Sequence, residues 1–67
     1  MFEYNNNILK IMGFKKIISV DSNCVKLLYK NKVVLVCGNN LIVNNLIDFS
    51  VEIKGVIDEI KMEYFND

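Results

Sequence analysis

All three glycines of this 67-residue chain close the same short pattern, an apolar pair set two residues apart. The segments are Leu9-Lys10-Ile11-Met12-Gly13, Val34-Leu35-Val36-Cys37-Gly38 and Val51-Glu52-Ile53-Lys54-Gly55. Apolar, largely β-branched residues at period two send one face of a strand into a core, and a residue without a Cβ ends or re-aims that strand. The pattern specifies sheet. Hydrophobic residues make up 52% of the chain, mostly Ile, Val and Leu, in runs well short of the roughly 20 residues that a membrane-spanning helix needs. A chain this small buries only about 60% of the surface that its unfolded form exposes. So much apolar area therefore calls for a partner or a second copy.

Residues 1–7 read as a flexible polar tail and residues 8–65 as a single β domain. Ile8 to Met12 predicts a first strand. Lys15 to Val20 predicts a second, closed by Asp21-Ser22-Asn23, which favour turns by bonding their own backbone. Cys24 to Lys30 and Lys32 to Cys37 predict a hairpin around Asn31, with two registers available. If Asn31-Lys32 form the loop, Leu27 faces Val36 and Tyr29 faces Val34. If Lys30-Asn31 form it, the pairs move by two and Cys24 comes opposite Cys37. The first is favoured, because Asn31 tolerates the positive φ of a tight hairpin turn and Lys32 can be solvated there. In both registers one face carries Val25, Leu27, Tyr29, Val34 and Val36, while the other mixes cysteines and lysines with Leu28, Val33 and Leu35.

Gly38-Asn39-Asn40 predicts a turn and Leu41-Ile42-Val43 a short strand, after which Leu46 and Ile47 are expected to fold back onto the core. In the last segment Val51, Ile53, Gly55 and Ile57 share one parity, whereas Ile60, Met62 and Tyr64 share the other. A β-bulge at Asp58-Glu59 accounts for the change of phase. Helical spacing over 56–64 also fits, but the strict alternation of Ile60 to Tyr64 favours the bulged strand. The expected fold is all-β, a single small antiparallel meander of about six to seven short strands.

The chemistry that such a chain can carry is narrow. It has no histidine, which removes the commonest general base and metal ligand. Two cysteines are too few soft ligands for a zinc site, and Lys26, the one candidate base or cationic neighbour for either thiol, falls on a solvated face. No catalytic residue, metal or cofactor is therefore expected. Asp58 and Glu59 are adjacent, and neighbouring strand residues point to opposite faces, which argues against a carboxylate dyad. Eight lysines balance eight acidic residues and arginine is absent, so no nucleic-acid partner is favoured. The start of the chain lacks a basic region followed by an apolar one, so a cytoplasmic location without membrane insertion is expected, with Cys24 and Cys37 as reduced thiols. Val33-Val34-Leu35-Val36 is apolar at both parities and wants cover on both faces. Val33 and Leu35, with Leu28 across the hairpin, are accordingly the candidate interaction surface. Gly13, Asn31, Gly38 and Gly55 are the candidate turn positions.

Read end to end, the order of segments is more specific than any one of them. Ile11-Met12-Gly13-Phe14-Lys15-Lys16-Ile17 leads to Ser19-Val20-Asp21 and the strand at Val25 to Leu27. Leu35, Gly38-Asn39-Asn40-Leu41, Leu46, Val51-Glu52-Ile53-Lys54-Gly55-Val56-Ile57 and Tyr64 follow. This order resembles the YabP/YqfC family of sporulation proteins of endospore-forming bacteria, nearer its YabP branch, across residues 9–64. At the hairpin loop, where members usually have Gly, this chain has Lys32, and Asn31 is expected to supply the left-handed residue. The resemblance implies a non-enzymatic protein of the mother cell, peripheral at the forespore surface and acting in spore coat or cortex assembly. The implied partner is a membrane-embedded sporulation protein; self-association is expected independently, from the surplus of apolar area. The alternative from length and strand content is a small Sm-like barrel that binds RNA.

Overall fold

The period-two runs do form strands. The computed structural model describes residues 2–65, and its elements in chain order are β1 (Phe2–Asn5), β2 (Ile8–Met12), β3 (Lys16–Val20), β4 (Cys24–Leu28), β5 (Lys32–Ile47) and β6 (Ser50–Tyr64). They make one antiparallel sheet in the order β1-β2-β6-β5-β4-β3. The all-β expectation holds, with six strands of which two are long.

β5 and β6 form one hairpin whose two halves have different neighbours. Residues 33–37 of β5 pair with β4 on one side and with residues 59–63 of β6 on the other. Residues 50–54 of β6 pair instead with β2. Between the halves the register shifts, because Cys37 faces Glu59 while Gly38 faces Ile57. Asp58 is thus the extra residue of a bulge, where the change of phase predicted one, and residues 56–64 are strand rather than helix.

Two glycines permit the bend. A Cβ on Gly38 would run into the carbonyl oxygen of Val56. Gly55 has φ +126° and would place a Cβ 2.5 Å from the Asn40 oxygen, so neither the torsion nor the space admits a side chain. The β3–β4 turn braces the bend from outside: the Gly38 N–H donates to the Asn23 oxygen at 2.8 Å and the Leu41 N–H to the Ser22 oxygen at 2.9 Å. Gly38-Asn39-Asn40, expected as a turn between strands, is therefore a bend inside β5, with Asn40 at φ 54°.

The bend folds the sheet over one core. Leu9, Ile11, Val51 and Ile53 from one half, and Val25, Leu27, Val34 and Val36 from the other, are each at most 2% exposed. A sheet face is closed to that extent only when another layer lies on it, so each half covers the other. Burying each such side chain is worth about 1.5–3 kcal/mol. Phe14 and Leu41 complete the cluster, and among the described residues no polar or charged residue is buried.

Four expectations are corrected. The β4–β5 hairpin adopts the second register, with Cys24 opposite Cys37 and Leu27 opposite Val34. Tyr29 is the reason: its N–H donates to the Lys32 oxygen at 2.9 Å, its hydroxyl donates to the Met12 oxygen at 3.0 Å, and its ring meets the Phe14 ring edge-on. These anchors outweigh the turn preference of Asn31, which is not at positive φ. Secondly, Cys24 and Cys37 are joined in a disulfide rather than left as thiols. By the alternation that the Tyr29–Lys32 bond sets, they form a narrow, non-hydrogen-bonded pair, and their Cα atoms lie 4.2 Å apart. Thirdly, residues 2–5, expected in a polar tail, form β1; Asn6 and Asn7, both at positive φ, make the two-residue turn into β2. Met1 of that tail lies outside the described residues. Fourthly, Leu46 and Ile47 do not return to the core. A register shift after Asn44, with Asn45 at φ 52°, carries the hairpin tip past it and leaves them 59% and 66% exposed.

Candidate interaction surface

Leu28, Val33 and Leu35 do share a face. Leu28 pairs with Val33, and Lys26 with Leu35, on the outer side of the β3-β4-β5 layer. Lys16 flanks this group from β3, and Lys61 and Glu63 flank it from β6. All three apolar residues are half-buried. The stems of neighbouring lysines can cover such a surface while their ammonium groups stay in water.

The turn positions separate by role. Gly13, at φ +88°, turns the chain out of β2 and donates its N–H to the Phe49 oxygen at 2.9 Å. Gly38 and Gly55 face each other's strands at the bend. Asn31 lies in the β4–β5 loop, where its carbonyl accepts the Phe65 N–H at 3.0 Å.

The more open apolar surface lies on β6. Ile60 and Met62 point to the same side of the sheet as the core residues Val36 and Val34 opposite them, and Tyr64 continues that row opposite Lys32. Yet Ile60, Met62 and Tyr64 are 38%, 42% and 61% exposed. Beyond Lys54 no strand lies on the outer side of β6 among the described residues, because β2 stops there. Tyr4 of β1 reaches across to Ile57 and Ile60 and lines a shallow apolar groove with them. Phe65 adds a further half-exposed ring at the end of the strip.

Backbone polarity on this strip follows from one bond. The Phe65 N–H to Asn31 oxygen contact makes that pair hydrogen-bonded, so by alternation Glu63, Lys61 and Glu59 bond β5. The N–H and C=O groups of Ile60, Met62 and Tyr64 then face the open edge. On the opposite side of the sheet, Glu59, Lys61 and Glu63 alternate in charge, with Lys61 Nζ 3.8 Å from Glu59 Oε1. Both side chains are more than half exposed, so this pair adds little stability. Lys32 sits at the strip's end with its ammonium 4.9 Å from the Tyr29 ring centre and 5.4 Å from that of Tyr64. The cation thereby ties the end of β6 to the core aromatics.

The strip was present in the sequence as the alternation of Ile60, Met62 and Tyr64. What parity could not say is that no second layer covers it. A second apolar patch, Leu46, Ile47 and Phe49 at the β5–β6 tip, is more than half exposed as well. An open groove between the Asn6-Asn7 turn and the bend is lined by Tyr4, Lys54, Val56 and Ile57. Among the described residues no group of three or more Cys, Asp or Glu side chains is placed to hold a metal ion. The chain matches no family model, no curated protein and no solved structure.

Proposed function

We propose that this chain is a non-enzymatic sporulation module that works by protein–protein contact in spore coat or cortex assembly. The observation that carries the reading is the β6 strip, where an unpaired strand edge and an exposed apolar row coincide. Strand addition uses both features, the backbone groups for affinity and the alternate side chains for specificity. The sporulation setting rests on the resemblance of residues 9–64 to the YabP/YqfC family. On that reading the protein acts in the mother cell, peripheral at the forespore surface and beside a membrane-embedded partner. No helix among the described residues is long and apolar enough to cross a membrane. Thiol trapping in fresh lysates tests this setting against the Cys24–Cys37 disulfide, which a reducing cytoplasm would open.

The test is the heat-resistant spore count of a deletion strain of the source organism, set beside its vegetative growth. The expected result is a collapse in spores with normal growth, restored by the wild-type chain and not by a folded Met62→Lys variant. Normal spore counts in the deletion strain would overturn the sporulation setting. Full rescue by Met62→Lys would overturn the role of the strip.

A further inference from the structure

We infer that the occupant of the open β6 edge is a second copy of this chain, paired antiparallel with Met62 on the two-fold axis. The inference rests on the contact reading above and names the partner.

The free edges are not equivalent. β1 is four residues long and ends in an Asn-Asn turn. β3 carries a register shift between Ile17 and Ser19, which breaks regular pairing along its edge. The second half of β5 is interrupted at Asn40 and Asn45, both at positive φ, with register shifts beside them. Short, bulged and kinked strands are the usual devices that keep an edge from pairing. From Glu59 to Tyr64, β6 has none of them: its register against β5 is unbroken and no residue is at positive φ. An edge left regular among blunted ones is suited to pairing.

Charge then selects the register. The open backbone groups belong to Ile60, Met62 and Tyr64, so these residues must face one another in the hydrogen-bonded positions. With Ile60 opposite Met62, Lys61 falls on Lys61 and Glu59 on Glu63, and like charges directly opposite destabilise. With Met62 opposite Tyr64, Glu63 falls on Glu63. With Ile60 opposite Ile60, Lys61 meets Glu59, but Met62 meets Asp58 and Tyr64 meets Val56 across the bulge. With Met62 opposite Met62, Lys61 faces Glu63 twice, Ile60 faces Tyr64 twice, and Glu59 lies beside Phe65. That register alone joins opposite charges on one face and apolar residues on the other. It continues the β3-β4-β5-β6 layer of one copy into that of the next, and β6 ceases to be an edge. The contact is isologous and closes after two copies.

Sedimentation of the full chain from micromolar to millimolar concentration, with amide exchange at both ends of that range, tests the inference. The expected result is a monomer–dimer equilibrium in which the Ile60, Met62 and Tyr64 amides become protected with concentration while exposed loop amides do not. Lys61→Glu and Glu63→Lys each place two like-charge pairs in the dimer and should raise its dissociation constant about tenfold. The double variant Lys61→Glu/Glu63→Lys exchanges the two charges and should restore it. In the Ile60-on-Ile60 register the partner of position 61 is Glu59, so the same double variant would set two carboxylates against each other. Its failure to restore the dimer therefore overturns the proposed register. A chain that remains monomeric at millimolar concentration overturns self-pairing. The contact reading itself is judged separately, by the spore count. All three variants change exposed positions, and thermal unfolding of dilute samples checks that they fold.

Discussion

Val34 and Met62 face each other in one ladder and point to the same side of the sheet, yet one is fully buried and the other 42% exposed. The same contrast repeats at Val36 and Ile60. Alternation brings each residue to the correct face but does not provide the layer that closes it. Val34 and Val36 share one closed cluster with Leu9 and Ile11 of β2 and with Val51 and Ile53 of the first half of β6. Ile60 and Met62 lie one strand further out, where that layer ends. Closed and open regions thus share a sequence pattern and differ in coverage, and coverage is set by the bend.

Removing the bend is the largest perturbation that separates the two regions. Gly38→Ala drives a Cβ into the Val56 carbonyl, a backbone group that cannot swing aside. With the hairpin forced straighter, the two halves no longer cover each other. We expect a loss of more than about 4 kcal/mol, in the range reserved for core and backbone failures. In a domain of this size that abolishes cooperative unfolding, which a urea titration followed by circular dichroism reads. A folded Gly38→Ala protein would mean that the closed region does not depend on the bend.

The next comparison is direct. Leu27→Ala opens a cavity in the closed region and should cost about 2–5 kcal/mol. Met62→Ala removes a side chain that is already partly in water, and in dilute protein it should cost less than about 1 kcal/mol. Equal costs by chemical denaturation would erase the distinction between the two regions.

Reduction of the Cys24–Cys37 disulfide should fall within the range of Leu27→Ala and well above Met62→Ala. The bridge closes a 13-residue separation within the closed region, which corresponds to about 3 kcal/mol of restriction on the unfolded chain. Unfolding midpoints with and without reductant measure it. A Cys24→Ser/Cys37→Ser variant separates the bridge from side effects of the reductant.

Much of this fold was legible, and each omission has a physical cause. The strands β2 and β4, the core face of the hairpin and the bulge at Asp58 follow from local periodicity, because burial of one face imposes period two, whereas β3 was legible as an apolar run closed by turn residues. The register of β4 against β5 was not local. It is anchored by the Tyr29 hydroxyl on Met12, which lies 17 residues away and which no turn preference anticipates. The disulfide was missed for another reason: in either register the expected cytoplasmic location made both cysteines thiols, whereas the observed pairing joins Cys24 to Cys37. β1 was hidden in an Asn-rich start that reads as tail, although Asn6-Asn7 is well suited to a two-residue turn with both residues at positive φ. The interaction strip was half legible: its alternation was plain, and its lack of cover depends on where β2 ends.

The smallest expected effect lies at the turn that braces the bend. The Asp21 carboxylate accepts the backbone N–H groups of Asn23 and Cys24, each at 2.8 Å. These two bonds, that from Asn23 foremost, hold its pKa below the ordinary value of 3.8. A carboxyl lowered in the folded state contributes stability that is fully present above its unfolded value and is lost as pH falls through the folded one. Asn at this position keeps an oxygen acceptor but has no proton to take up. Asp21→Asn should therefore be slightly less stable than the wild type at neutral pH, and the gap should narrow as pH drops below about 4. Urea midpoints of both proteins at pH 7 and pH 3 read the difference. The turn touches the closed region through Gly38 and Leu41, so in dilute, monomeric protein acid should act there while Ile60, Met62 and Tyr64 keep their exchange rates after correction for intrinsic pH dependence. A gap that stays constant with pH would show that the turn is held by its backbone bonds to β5 rather than by the carboxylate.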